Sequence, residues 1–90
     1  MIPLSTHFQK RRQQRGLRRD VFEFILEFGE MRFARNADWF VIERKTLPSK
    51  LKNTSLAKRA ASWLLLVKDG VLITCYRTAN PLRNFSRSQY

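Results

Sequence analysis

The sequence predicts an α+β domain in which an N-terminal two-helix hairpin packs on a four-stranded, mostly antiparallel sheet. Three observations predict it. Apolar residues crowd the stretch from Asp20 to Phe28, too densely for a surface loop, and Gly29 closes it like the end of a largely buried helix. From Met31 onward, short runs rich in Phe, Val, Ile and Trp alternate with turn residues, which is strand patterning. The helical runs come first and the strands follow, an order that segregates helices to one side of an antiparallel sheet. The 90 residues suit one domain with a modest core. Seven Phe and two Trp, within a hydrophobic share of 43%, are enough to build that core.

Each element has a local reason. Thr6-His7-Phe8-Gln9 has the T-x-x-Q spacing of a capping box, so the first helix is expected over residues 6–15, stopped by Gly16. The second runs from Asp20 to Phe28, joined to the first by a tight connection through Gly16-Leu17. Met31–Arg35 and Asp38–Lys45 read as the first two strands, with Asn36-Ala37-Asp38 as their turn. Trp39 and Val41 alternate with Phe40 and Ile42, so both faces of the second strand are apolar, as in an inner strand. Residues 46–61 read as a loop, with a short helix over Ser55–Ala61. Ser62–Lys68 and Val71–Thr78 are the last two strands, and Asp69-Gly70 suits a two-residue hairpin turn between them. Residues 1–79 are therefore read as one domain and 80–90 as a basic tail, since Asn80-Pro81 breaks the pattern.

Charge narrows the class of partner. Eighteen Lys and Arg against seven Asp and Glu give a formal net charge of +11. An excess of this size attracts polyanions and releases their counterions. Nucleic acid, and RNA in particular, is the expected partner; the alternatives are a merely basic soluble protein or one that meets an acidic protein. The charge is also blocked along the chain. Met1–Arg19 holds six basic residues and Arg44–Lys68 seven, with no acid in either block. Within the second block Lys45, Lys50, Lys52, Lys58 and Arg59 either track a phosphate backbone or solvate the loop.

Several classes are not expected. One cysteine, Cys75, leaves no internal disulfide framework and no multi-cysteine metal centre. With a single histidine, neither a metal nor a cofactor is expected. The opening residues lack the apolar run of a signal peptide, and the longest apolar run, Trp63–Val67, is too short for a bilayer. The expected location is the cytoplasm, with no membrane partner.

Chemistry concentrates at two places. His7, Arg11 and Arg15 are spaced i, i+4, i+8, which puts them on one stripe of the first helix, flanked by Lys10, Gln14 and Arg18. A histidine can exchange protons near neutral pH, and two arginines can hold a phosphate and stabilise charge growing on it. That combination suits cleavage of RNA through its 2′-hydroxyl; the plainer alternative is a solvated basic helix face. On the last strand Leu72, Thr74, Tyr76 and Thr78 share one face while Ile73, Cys75 and Arg77 share the other. Tyr76 suits stacking on a base or relaying a proton, and Arg77 suits a phosphate; taken singly, each is also an ordinary strand residue. Glu43 is either a general base or, more simply, an ion-pair partner of a neighbouring basic residue.

The segments Ser5-Thr6-His7-Phe8, Arg11 and Arg15-Gly16-Leu17 resemble the S-x-H-A-x-x-R-M-x-x-R-G-I opening of a small bacterial domain family of unknown function. Gly29 and Val71-Leu72-Ile73-Thr74-Cys75-Tyr76 also fit its pattern. That family is similar to the RelE- and BrnT-like toxins, whose fold is shared with barnase and EndoU. The resemblance covers residues 5–29 and 62–78 and implies two helices on a four-stranded sheet, a RelE-like fold. It also implies metal-independent endoribonuclease activity on RNA, including ribosome-bound mRNA, restrained by an acidic antitoxin. The implied functional positions are His7, Arg11, Arg15, Thr74 and Tyr76. The sequence departs from the pattern at Arg12, usually apolar, and at Arg18, often a capping Ser or Thr; Leu47–Ala61 reads as a basic insertion.

Overall fold

A computed structural model describes residues 2–79 and gives the α+β architecture that the pattern predicts. Helices α1 (Thr6–Arg15) and α2 (Arg19–Phe28) precede strands β1 (Glu30–Ala34) and β2 (Ala37–Val41). Two short helices, α3 (Ser49–Lys52) and α4 (Ser55–Ala60), lead into β3 (Trp63–Lys68) and β4 (Val71–Arg77). The strands form one antiparallel sheet in the order β1-β2-β3-β4, so every connection is to a spatial neighbour. The basic tail read over 80–90 lies outside the described residues.

Local chemistry accounts for the helix ends, with one correction. The cap of α1 is Ser5, not Thr6: its Oγ accepts the Phe8 N–H at 2.9 Å. The capping box therefore does not form. Ser5 is held there because its own N–H donates to the Leu72 carbonyl at 3.0 Å, which ties the start of the helix to β4. Gly16 ends α1 in the left-handed region (φ 74°), a conformation that costs most residues about 1–2 kcal/mol. Gly29 serves differently. It is extended, but a Cβ there would overlap the Ile25 carbonyl oxygen and stand 3.2 Å from that of Val41, so α2 can pass directly into the sheet only at a glycine.

Both hairpin turns place two consecutive residues at positive φ, the geometry that matches strand twist. For β3–β4 these are Asp69 (52°) and Gly70 (77°), as the sequence predicts. For β1–β2 they are Arg35 (53°) and Asn36 (60°). The turn thus lies earlier than Asn36-Ala37-Asp38: Ala37 and Asp38 already pair with Ala34 and Phe33. The second strand is also shorter than expected. Arg44–Thr46 forms a 3-10 turn in which the Thr46 hydroxyl donates to the Glu43 carbonyl at 2.8 Å, a local bond that competes with sheet pairing.

The segment 46–61 carries the short helix expected over Ser55–Ala61, observed as α4, and a second one, α3, in the part read as loop. Thr54 caps α4 by accepting from the Ala57 N–H at 3.2 Å and donates to the Leu51 carbonyl at 2.7 Å. Ala57 and Ala60 are fully buried, so small side chains let α4 pack closely against α2.

The sheet faces differ. Phe8, Phe22 and Ile25 from the helices and Leu17 from their connection meet Trp63, Leu65, Leu72 and Cys75 in the main core. Phe8 and Phe22 pack edge to face, 5.5 Å between ring centres. The opposite face holds a smaller cluster of Ala34, Val41 and Leu64 with Trp39 packed on it; no described helix residue joins it. Both tryptophans are thus packed in apolar clusters, one on each side of the sheet.

Candidate nucleic-acid interface

Helix α1 runs alongside β4, and that alignment builds the surface. Leu4 bridges Leu72 in parallel just before the helix begins, and the Ser5 hydroxyl donates to the Ile73 carbonyl at 3.3 Å. At the other end of α1, the Arg15 guanidinium lies 5.4 Å from the centre of the Tyr76 ring. The His7-Arg11-Arg15 stripe therefore follows β4 from its beginning to its end.

Tyr76, the aromatic residue of β4, has 40% of its surface accessible. It pairs with Leu64 across the ladder and stands on the sheet face away from the main core. Trp39 lies beside it, ring centres 5.9 Å apart, and the Trp39 indole N–H donates to the Ala34 carbonyl at 3.0 Å. An anchored indole, an exposed phenol ring and an overlying guanidinium form one continuous platform. Its far end is fixed by Arg32, which donates to Glu30 at 2.6 Å and to Glu43 at 2.9 Å. Hydrogen bonding to Glu30 foremost, then the charges of both carboxylates, raises the Arg32 pKa against the opposing effect of burial. Glu43 is thus an ion-pair partner of a neighbouring strand, and Lys45 approaches its other oxygen at 3.5 Å.

The remaining sequence-predicted residues fall into separate groups. His7 is exposed at the start of α1, and its side chain makes no hydrogen bond or ion pair among the described residues. It lies two turns from Arg15, about 12 Å along the helix axis. Arg11 is half-buried between them, and Lys10 is exposed on the same helix. Thr74 is buried at 6% exposure on the platform face; Leu72, expected beside it, lies in the main core instead, because the β3–β4 pairing shifts between Leu66 and Val67. Arg77 points away from Tyr76: it pairs with Trp63 and its guanidinium lies 5.9 Å from that ring. Strand alternation separates these two neighbours, so one phosphate is not gripped by both at once. Arg77 instead joins Arg18, Lys58 and Arg59 around a cleft on the helix side. Lys50 is exposed on α3, where Lys52 is half-buried.

Sequence reasoning missed Trp39 as a partner of Tyr76. The two are far apart in sequence, and only the β2-β3-β4 register brings them together. Cys75, behind the platform, is fully buried; burial pushes its thiol pKa up, while Arg15, Arg11 and Arg12 pull the other way. Among the described residues no group of three His, Cys, Asp or Glu is placed to hold a metal ion, and no helix is long and apolar enough to cross a membrane.

No protein-family model, curated protein or solved structure matches the chain.

Proposed function

We propose that this protein is a cytoplasmic RNA-binding domain that holds single-stranded RNA along α1 and the Tyr76 platform. The observation that carries the reading is the Arg15 guanidinium over the exposed Tyr76 ring. Single strands are bound by combining basic tracks with aromatic rings on which bases stack, and here the two are in direct contact. Arg11 and Lys10 continue the basic track along the helix, and the net charge of +11 supplies long-range attraction. Fluorescence anisotropy with a 2′-O-methyl oligouridylate, which cannot be cut through its 2′-oxygen, tests the reading. Tyr76→Ala is expected to weaken binding about fivefold or more, the effect of losing one base–aromatic stack.

A second reading adds cleavage: a RelE/BrnT-like toxin that cuts RNA without a metal and is held in check by an acidic antitoxin. The ordered stripe of His7, Arg11 and Arg15 favours it, because a proton-exchanging group and two cations follow the same bound strand. In this reaction the 2′-oxygen bonds to phosphorus and loses its proton to a base. The P–O5′ bond breaks, the departing oxygen takes a proton, and a 2′,3′-cyclic phosphate and a 5′-hydroxyl result. His7 would exchange protons, and the arginines would stabilise the charge on the phosphate oxygens. Purified protein is expected to cut single-stranded RNA in EDTA, and His7→Ala to cut it about a hundredfold more slowly. Equal inactivity of both proteins, with binding intact, leaves the binding domain as the function.

A further inference from the structure

A second basic feature lies round the corner from the platform. Arg18, Lys58, Arg59 and Arg77 line a shallow cleft of about 400 Å³, floored by the buried Trp63 and edged by Gly16. Among the described residues, no acid lines it and no carboxylate pairs with Lys58, Arg59 or Arg77. Only Arg18 has an acidic neighbour, Asp20 at 3.6 Å. Three like charges gathered without a counter-charge repel one another, an arrangement relieved by an anion in the cleft. Arg77 is held over Trp63, which fixes one guanidinium in position before any ligand arrives.

The cleft and the platform are joined by sequence neighbours. Arg15 belongs to the platform and Gly16 to the cleft; Tyr76 belongs to the platform and Arg77 to the cleft. Both pairs sit where α1 and β4 end together. Gly16 has no side chain there, and nothing lies within 4 Å of where its Cβ would be, so the rim between the two surfaces is open.

We infer that the cleft is a phosphate channel: an RNA strand with a base stacked on Tyr76 turns over the Gly16 rim and lays its next phosphates between Arg77 and the α4 cations Lys58 and Arg59. The inference rests on the RNA-binding reading above and extends it to the path of the strand. It also gives α4, within the basic segment 44–68, a role as one wall of the binding track.

The test is binding of a 2′-O-methyl oligouridylate of about twelve nucleotides, within the usual span of single-strand sites, across a range of salt concentrations. Arg59→Gln/Arg77→Gln removes two cleft charges. Lys58→Gln/Arg59→Gln removes two while leaving Arg77 over Trp63, which guards against damage to β4. Arg35→Gln/Lys68→Gln removes two charges at the opposite end of the sheet as a control. Each cleft variant is expected to bind about fivefold or more weakly, with the log–log salt slope shallower by about 1.4, the value for two lost single-strand phosphate contacts. The control is expected to change the slope by less than half as much. If cleft and control variants shift equally, the charge acts diffusely and the channel is wrong. Should Tyr76→Ala still weaken binding in that case, the RNA-binding reading survives without the channel. If the wild-type protein does not bind the oligonucleotide at all, both fall.

Discussion

At the scale of single residues, exposure and partners separate structural side chains from available ones. Arg12 is engaged: it bonds Gln9 and the Leu17 carbonyl and lies 5.2 Å from the Phe22 ring centre, so its charge is absorbed by the helix connection. Arg15 is available and already oriented on an aromatic ring. Cys75 shows the opposite limit. Its thiol is fully buried and its pKa is raised by that burial above the ordinary value of 9.0. Below that value both folded and unfolded chains keep the proton. Above it the unfolded thiol ionises while the folded one does not, so its contribution to stability falls as pH rises towards the folded pKa. Urea unfolding between about pH 8 and 10 is therefore expected to show a loss of stability that Cys75→Ala reduces. Parallel pH profiles for the two proteins would contradict that assignment. The helix stripe was legible from spacing alone, because i, i+4, i+8 residues share a face on any helix. The Tyr76–Trp39 pair was not, because it depends on a register spanning three strands.

At the scale of elements, the ends are set by bonds to distant parts of the chain. The sequence pattern offers Thr6 and Gln9 as a capping box, yet Ser5 is chosen because β4 positions its backbone. Ser5→Ala removes the bond to the Phe8 N–H and the one to the Ile73 carbonyl. It is expected to cost about 1 kcal/mol, the usual loss for a helix cap. The check is a lower urea midpoint with an unchanged m-value. The same logic separates what the sequence reveals from what it hides. Gly16, Gly29 and Asp69-Gly70 mark their boundaries because the backbone there needs a glycine or a positive φ. The four-residue α3 is not legible because it is too short to show an amphipathic pattern, whereas the short helix read over Ser55–Ala61 is present as α4, with Ala57 and Ala60 packed against α2. The turn at Arg35-Asn36 was displaced because Asn36 tolerates the left-handed region and an arginine is not a usual marker of it.

At the scale of the molecule, the two faces of the sheet divide the work. One face is spent on a core with the helices; the other carries the platform, bounded by Arg15 at one side and the Glu30-Arg32-Glu43 cluster at the other. The main-chain groups on the outer side of β4 are partly satisfied by Pro3 and Ser5, whose bonds to Leu72 cover that edge. The β1 edge carries exposed Met31 and Phe33, and the exposed Arg35 at its end adds charge that discourages edge-to-edge pairing. The first block of positive charge lies along α1, while from the second only Lys58 and Arg59 reach the cleft beside α4, the others lying elsewhere on the surface. In the proposed function this charge serves a specific single-strand surface rather than general attraction. Anisotropy of a 2′-O-methyl oligouridylate with wild type, Tyr76→Ala and Tyr76→Phe tests it most directly. Tyr76→Phe is expected to keep wild-type affinity while Tyr76→Ala loses about fivefold or more with little change in salt slope, the signature of a lost stack and not a lost charge. Equal affinity of all three proteins would contradict it.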